Sequence, residues 1–209
     1  MQDFDAGRLD RRRFALLLAA AAMATPSIGL AEEGLRSVGD VRKASGGVFA
    51  ESGALRPLQA GSDILLGDLV WTDVASRAAL ALEGGSDIFL GAKTRLKIDR
   101  FVAATGGRLI LGDGALVFDR DDSLPKTDIK LLSAFGQIGV RGTRFFAGPS
   151  KGVFAVFCER GEVHVAAAGA RRVLKAGDGV DFPVKGGKPS AVQKWGAARV
   201  EKAFASVLG

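Results

Sequence analysis

The chain offers few side chains of the kinds that catalyse reactions or bind metals. It has one histidine, His164, and one cysteine, Cys158, among 209 residues. His164 lies in the alternating segment EVHVA, where its parity is opposite to that of Val163 and Val165, so its side chain points to solvent. Cys158 precedes it on what we predict to be a different strand, and a metal ion would need further ligands close by. We therefore predict no metal site and no cofactor.

An acidic cluster lies in the segment FDRDDSLPK. Asp119, Asp121 and Asp122 supply oxygen atoms of the kind that bind calcium. The cluster lacks the spaced ligand series and the terminal glutamate of a dedicated calcium loop. We predict a solvated turn that ends at Pro125.

Sequence signatures of enzymes are missing. The chain has no Gly-x-Ser-x-Gly segment and no glycine-rich phosphate loop. Ser86 and Ser133 occur in turn or strand segments without a histidine placed to act as a base. The sequence therefore predicts a protein that is not an enzyme.

The segment FGQIGVRGTRFF, residues 135–146, interrupts an apolar strand with Arg-Gly-Thr-Arg. Val140 and Phe145 are an odd number of positions apart, so in a regular strand their side chains would face opposite ways. Both can face the core only if one residue bulges between them, and Gly142 is the residue able to do so. The segment therefore predicts a bend within a strand.

The residues of this bend are the candidate binding or structural motif: Arg141, Gly142, Thr143 and Arg144. In the structural role, Thr143 ties the bend through its hydroxyl. Arg141 then pairs with a carboxylate of a neighbouring turn, Asp99 or Asp113. Binding of a ligand by the same residues is the alternative.

Between residues 48 and 182 the sequence alternates apolar and polar positions, or forms short apolar runs, with turn residues between them. RAALALEGGSDIFL predicts a hairpin, and GGRLILGDGALVFD predicts a second one through residues 112–114. Further turns are predicted at residues 160–161 and 168–169. No helical pattern separates the strands, which excludes a parallel βαβ sheet. We predict an all-β fold, a solenoid-like or roll-like stack of short antiparallel hairpins.

Only the C-terminal segment WGAARVEKAFASVLG has a helical period. Val200, Phe204, Val207 and Leu208 share one face of a helix. We predict a short amphipathic helix that packs on the sheet after the linker VKGGKPS. Binding of a partner by this helix is the alternative.

Residues 1–31 predict an export signal. A basic cluster at residues 11–13 precedes ten apolar residues at 15–24, and Gly29 and Ala31 are the small residues of a cleavage site. The arginines followed by Phe14 also resemble a twin-arginine signal. We expect cleavage near Ala31 and a periplasmic location; an uncleaved membrane anchor is the alternative.

The net charge is mildly positive. It is +6 for the chain, and residues 1–31 contain four arginines and three aspartates, so removing their +1 leaves +5. The basic residues are dispersed along the sequence. We therefore predict no binding of nucleic acid.

Four segments, in this order, resemble the FecR-like domain of bacterial envelope regulators. They are GD-x-V-x-T at residues 67–72, SRA-x-L-x-L at 76–82, G-S-D-I-x-L at 85–90 and GVRGT-x-F at 139–145. The resemblance covers about residues 46–146. It implies an all-β, solenoid-like periplasmic domain without catalytic activity, whose motifs mark structure more than they mark a binding site.

In iron-uptake regulators of this family, the domain senses a loaded outer-membrane receptor. The signal then passes through a membrane helix to a cytoplasmic anti-sigma segment. In this sequence only about ten residues precede the apolar stretch, so we expect no anti-sigma segment before it.

The predicted organisation has three parts: an export signal at residues 1–31, a FecR-like domain with a strand extension at 32–184, and a linker with the helix at 185–209. We predict a binding module whose partner is a periplasmic or membrane protein, with strand edges and turns as the contact surface. No membrane span is expected once the signal is removed. The alternative is an envelope-structural module that binds peptidoglycan or another cell-surface polymer through its positive charge.

Overall fold

A computed structural model describes residues 36–102 and 105–209 of the chain, apart from the side chain of Arg141 and the burial of Gly142. The described residues belong to one compact unit, Leu35–Gly209. The predicted export signal at residues 1–31 lies outside them. No helix among the described residues has the length and apolar character needed to cross a bilayer.

The described residues form strands and one C-terminal helix, as the sequence predicts. The strands of the first half are β1 (Ser37–Ser45), β2 (Val48–Ser52), β3 (Ala54–Pro57), β4 (Asp63–Leu65), β5 (Leu69–Thr72), β6 (Arg77–Leu82), β7 (Ser86–Leu90) and β8 (Arg95–Val102). Those of the second half are β9 (Gly106–Leu111), β10 (Leu116–Arg120), β11 (Asp128–Ser133), β12 (Gly136–Ser150), β13 (Val153–Ala167), β14 (Ala170–Lys175), β15 (Asp178–Phe182) and β16 (Gln193–Lys194). The helix is α1 (Ala197–Leu208).

The strands form one curled, half-barrel sheet that divides at β12. The first part of β12 pairs with β11, which continues through β9, β8, β5, β2 and β3; we call these strands the first branch. The second part of β12 pairs with β10, which continues through β7, β6, β1 and β4, the second branch. The opposite edge of β12 pairs with β13 along almost its whole length.

The register between β12 and β13 is irregular where the sheet divides. It shifts between Arg141 and Arg144, and shifts back between Arg144 and Phe145. Val140 and Phe145 are consequently both buried in the same core, as expected for a strand with a bulge between them. The predicted bend is confirmed, and it lies where β12 passes from the first branch to the second.

The main core lies between the two branches. Residues from both branches, among them Ile64 and Leu80 of one and Leu96 and Ile98 of the other, belong to one cluster of buried apolar side chains. We call the side of the sheet that bears this cluster the inner face. The alternation in β8 is clear, since Leu96 and Ile98 are buried while Arg95 is exposed on the outer face.

Helix α1 covers part of the outer face of β7, β10 and β12. Phe204 and Val207 pack in a second cluster with Phe146, Phe157 and other outer-face residues. Val200 is partly buried against this cluster, whereas Leu208, which was expected on the same face, is 40% exposed. The predicted packing of an amphipathic helix on the sheet is confirmed.

Two predicted local structures are wrong. β9 and β10 do not form a hairpin, because β9 pairs with β8 and, in parallel, with β11, while β10 pairs with β7 and β12. Residues 112–114 are therefore a crossing from the first branch to the second. Residues 160–161 do not form a turn either; they lie inside β13, which continues through the bulge. Cys158 and His164 are thus on the same strand.

Buried hydroxyl groups fix this crossing. The hydroxyl of Thr72, at the end of β5, donates to the carbonyl oxygen of Gly91, which follows β7. Thr94 hydrogen-bonds through its hydroxyl to both the amide nitrogen and the carbonyl oxygen of Ala115, at 3.1 Å each. Strand ends of the two branches are therefore held together by bonds that satisfy buried backbone groups.

Four other polar residues of the quoted segments are buried as well. Asp68, Ser76, Ser86 and Thr143 are each 2% exposed or less. The Ser76 hydroxyl accepts the amide of Gly47 at 2.9 Å, and the other three also bond groups outside their own strands. These motif residues stabilise turns and strand ends, and they are not available at the surface.

The most buried charge of the group belongs to Asp68. Its carboxylate accepts the amide of Leu65 and both oxygens accept Arg56 Nη2, all at 2.7 Å. The Asp68 side chain is 0% exposed and that of Arg56 is 31% exposed. A charge-assisted pair of this kind fixes the turn between β4 and β5.

Replacing Arg56 should test the importance of this pair. Arg56→Met leaves the buried Asp68 carboxylate without its cation, so we expect the free energy of unfolding to fall by about 3 kcal/mol. Arg36→Met, which breaks an exposed pair with Glu83, is the matched control and should cost less than about 1 kcal/mol. Urea denaturation of both variants measures the difference; equal losses would show that the buried pair has no special role.

Candidate binding surface

A network of charged side chains surrounds the bulge on the outer face of β10, β12 and β13. Asp119 lies between two arginines, 3.4 Å from Arg144 and 3.0 Å from Arg160. Arg144 also contacts Glu159 at 2.8 Å, and Arg160 contacts Asp122 at 3.2 Å. We call these five residues the bulge network.

The bulge network is accessible to a partner. Side-chain exposure rises from 24% at Asp119 to 44% at Arg160 and 50% at Asp122. Three carboxylates and two guanidinium groups share the surface, so each arginine has more than one acidic neighbour. The network can therefore exchange one of its internal ion pairs for a pair with another protein, at small net cost because exposed pairs are weak.

Acidic character continues along the same row of the sheet. Asp87 of β7 lies directly opposite Asp119 in the β7–β10 pairing. Burial, and then the Asp119 carboxylate, raise the pKa of Asp87 above its usual value. Arg144, on the other side of Asp119, also lies over the ring of Phe204 of α1, at 5.7 Å from the ring centre. The bulge network thus lies between Asp87 on one side and the part of the outer face that α1 covers on the other.

The structure gives different positions to the residues of the candidate motif. Thr143 is buried, and its hydroxyl donates to the carbonyl oxygen of Arg160, so it ties the bulge as predicted. Arg144 belongs to the bulge network. The side chain of Arg141 and the burial of Gly142 are not described. The Asp99 carboxylate, one of the partners predicted for Arg141, accepts a hydrogen bond from Arg108. Binding by this motif stays a prediction.

Cys158 has no character of a nucleophile. Its side chain is fully buried, and its Sγ lies 3.4 Å from the carbonyl oxygens of Arg160 and Gly161. Burial raises the pKa of the Cys158 thiol, so the group stays protonated at neutral pH. The thiol completes the hydrogen bonding of the bulge.

The other side chains considered for metal binding or catalysis, His164 and the acidic cluster, form contacts with residues near them in the sequence. His164 is exposed, as predicted, and its Nε2 is 2.8 Å from Glu162 Oε1. Hydrogen bonds from the hydroxyl and the amide of Ser123 lower the pKa of Asp121, which caps the acidic turn. No group of three metal-binding side chains occurs within residues 36–102 and 105–209.

Sequence reasoning missed part of the bulge network. Glu159 and Arg160 stand in the segment CERGE, where the pattern suggested a turn between two strands. One signal was available in the sequence. Glu159 and Arg160 directly follow the apolar run that ends at Cys158, just as Arg144 directly precedes the apolar run that begins at Phe145. Their proximity to Asp119 and Asp122 depends on the pairing of β12 with both β10 and β13.

The sequence matches the model of the family described as FecR protein over residues 68–164. The resemblance that we described from the sequence covers about residues 46–146. The matched region begins later, at residue 68, and ends later, at residue 164. The match includes β12, the bulge and most of β13. A search of the curated proteins found no match.

Solved structures show the same fold. Two crystal structures of a candidate anti-sigma factor from Parabacteroides distasonis each align with a TM-score of 0.51, at 15% and 14% identity. Each alignment covers 64% of this chain and 62% of the other. This chain therefore spans about 62% of the length of those proteins, and the likeness concerns the fold.

The buried thiol predicts a pH dependence of stability. Its pKa is raised above the ordinary 9.0 in the folded state, so above that pH the unfolded chain loses its proton first and unfolding becomes easier. We expect Cys158→Ala to remove this component, up to about 1.4 kcal/mol per pH unit. Denaturant unfolding of both proteins between pH 8 and about 10.5 measures it. Parallel curves for the two proteins would contradict the assignment.

The bend itself can be tested with two glycines of β12. Gly142→Val should lower the free energy of unfolding by about 1–3 kcal/mol, because the bulged backbone would have to accept a branched side chain. Gly139→Val is the control, since a Cβ at Gly139 would be 3.7 Å from its nearest neighbour, an ordinary contact. Thermal melting compares the two variants. An unchanged melting temperature in Gly142→Val would show that the bulge does not require glycine at position 142.

Proposed function

We propose, from the match of residues 68–164 to the FecR protein family, that this chain is a regulatory binding module of the bacterial envelope that docks another protein. The family match is the observation on which the proposal depends. A match to this family supports a role in signalling or regulation, and such a role requires a protein partner. We further propose that the module has no catalytic activity of its own.

The bulge network is the surface we propose for docking. Its side chains are between 24% and 50% exposed, it contains charges of both signs, and its two arginines lie on the paired long strands β12 and β13. Rigid strands hold charged side chains in fixed positions, which gives selectivity for a partner with the complementary arrangement. The candidate motif residue Arg144 takes part directly, while Thr143 holds the bulge in place.

The proposed location is the periplasm. The supporting features are the basic cluster, the short apolar stretch and the small residues at the end of residues 1–31. The partner would then be a periplasmic or membrane protein.

Crosslinking in intact cells tests the proposal. A photoreactive amino acid at position 122, in place of Asp122 at the edge of the bulge network, reports what contacts the network, and mass spectrometry identifies the product. Arg160→Glu should reduce recovery of the crosslinked protein at least about tenfold, because in this background it reverses the charge that pairs with Asp119. Arg36→Glu, at an exposed arginine paired with Glu83, is the control and should leave recovery unchanged.

Three outcomes would contradict the proposal or part of it. Equal recovery with both variants would move the docking surface away from the network. Recovery of cell-wall fragments instead of a protein would favour the alternative, an envelope-structural module that binds peptidoglycan or another cell-surface polymer. Recovery of neither would contradict a docking role. Melting temperatures within a few degrees of wild type in both variants establish that the loss comes from binding.

A further inference from the structure

A groove runs between α1 and the tight turn that joins β12 to β13. Its volume is about 590 Å³, which is the size of pockets that hold small ligands or a few residues of a peptide. The turn contributes Pro149, Lys151 and Gly152, and the helix contributes one of its faces. The groove is separate from the bulge network, none of whose five residues lines it.

The walls of the groove combine small, partly apolar surface with positive charge. Lys151 stands on the turn and Lys202 on the helix, and both side chains are exposed. The other helix residues that line the groove are small, apart from Arg199: Ala197, Ala198, Ala203 and Ser206. No aspartate or glutamate lines the groove, and Glu201, although it belongs to α1, is not among the lining residues.

Arg199 forms a fixed part of the wall. Its guanidinium lies 3.7 Å from the centre of the Trp195 ring and bonds Asp181 at 2.6 Å and the Ser150 hydroxyl at 3.1 Å. Its side chain is only 9% exposed. Because Asp181 balances its charge, the positive potential of the groove comes from Lys151 and Lys202.

The turn that presents Lys151 is rigid. Lys151 and Gly152 both have positive φ, 53° and 80°, as in the two-residue turns that match the twist of paired strands. The first turn of α1 contains no acidic residue and Gly196 provides no side-chain cap, so its amides add positive potential. These features place two lysines on opposite walls of a preformed groove.

We propose that this groove binds an extended acidic peptide segment of a protein partner. Carboxylates of such a segment complement the two lysines, and its backbone and side-chain carbons fit the small residues between them. The inference rests on the proposed function only in that the partner is a protein. It adds a second surface, with its own ligand chemistry, to the bulge network.

Fluorescence anisotropy with the mature protein tests the inference. The probe is a labelled hexaglutamate peptide, and hexalysine of the same length is the negative control. We expect saturable binding of hexaglutamate that weakens as salt is raised. The double variant Lys151→Glu/Lys202→Glu should bind at least about tenfold more weakly.

Two further variants make the result specific. Ala198→Trp should block the groove without changing its charge and should weaken binding as strongly. Lys97→Glu removes an exposed lysine of β8 that does not line the groove, and it should bind like the wild-type protein. Melting temperatures close to the wild-type value confirm that each variant is folded.

Several results would overturn the inference. These are no binding of hexaglutamate, equal loss with Lys97→Glu, or unchanged binding with Ala198→Trp. Inorganic polyphosphate that displaces the peptide and binds more tightly through the same lysines would assign the groove to a phosphate polymer instead. Loss of peptide binding in the double variant while the position-122 crosslink persists would support the groove as a surface separate from the bulge network.

Failure of the inference can be distinguished from failure of the proposed function. If the position-122 crosslink to a protein persists while hexaglutamate does not bind, the docking role stands and the groove assignment is wrong. If no protein is crosslinked from position 122, the docking role fails regardless of what hexaglutamate does.

Discussion

The fold depends on one strand that must pair with three others. Along one edge, β12 pairs first with β11 and then with β10, while its other edge pairs continuously with β13. Two branches of a sheet can enclose a core only if this strand changes direction between them. The bulge at residues 141–144 provides the change, and a compensating shift on β13 restores the register beyond it.

Buried polar groups make this arrangement specific. The bulge is closed by the hydroxyl of Thr143 and the thiol of Cys158, which both reach the carbonyl oxygen of Arg160. The crossing between the branches is closed in the same manner by Thr72 and Thr94. Apolar packing alone would tolerate several pairings of strands this short, whereas each buried hydroxyl is satisfied in only one of them. These buried polar residues therefore favour the observed pairing over the alternatives.

The residues that stabilise the fold are therefore different from the surface residues that we assign to binding. The residues by which the FecR-like segments are recognised are mostly buried, so they preserve the fold and leave the surface free to vary. The bulge network and the groove beside α1 use other residues, at positions that the same bulge and the same β12–β13 pair hold in place. One architecture of this kind can carry different surface chemistry.

The sequence by itself determined that the domain consists of strands with one C-terminal helix, and it determined part of the burial. The helical period placed Phe204 and Val207 against the sheet, and the odd spacing of Val140 and Phe145 required a bulge. These features follow from local periodicity, which a single strand or helix expresses alone.

Only the tertiary structure decided which strands pair, and hence where the surface charges meet. The parallel pair of β9 with β11, the passage of β13 through residues 160–161, and the meeting of Asp119 with Arg144 and Arg160 all involve partners distant in sequence. Bringing such partners together costs conformational entropy, and the whole core and the buried hydrogen bonds offset this cost together. No local sequence pattern therefore encodes these contacts.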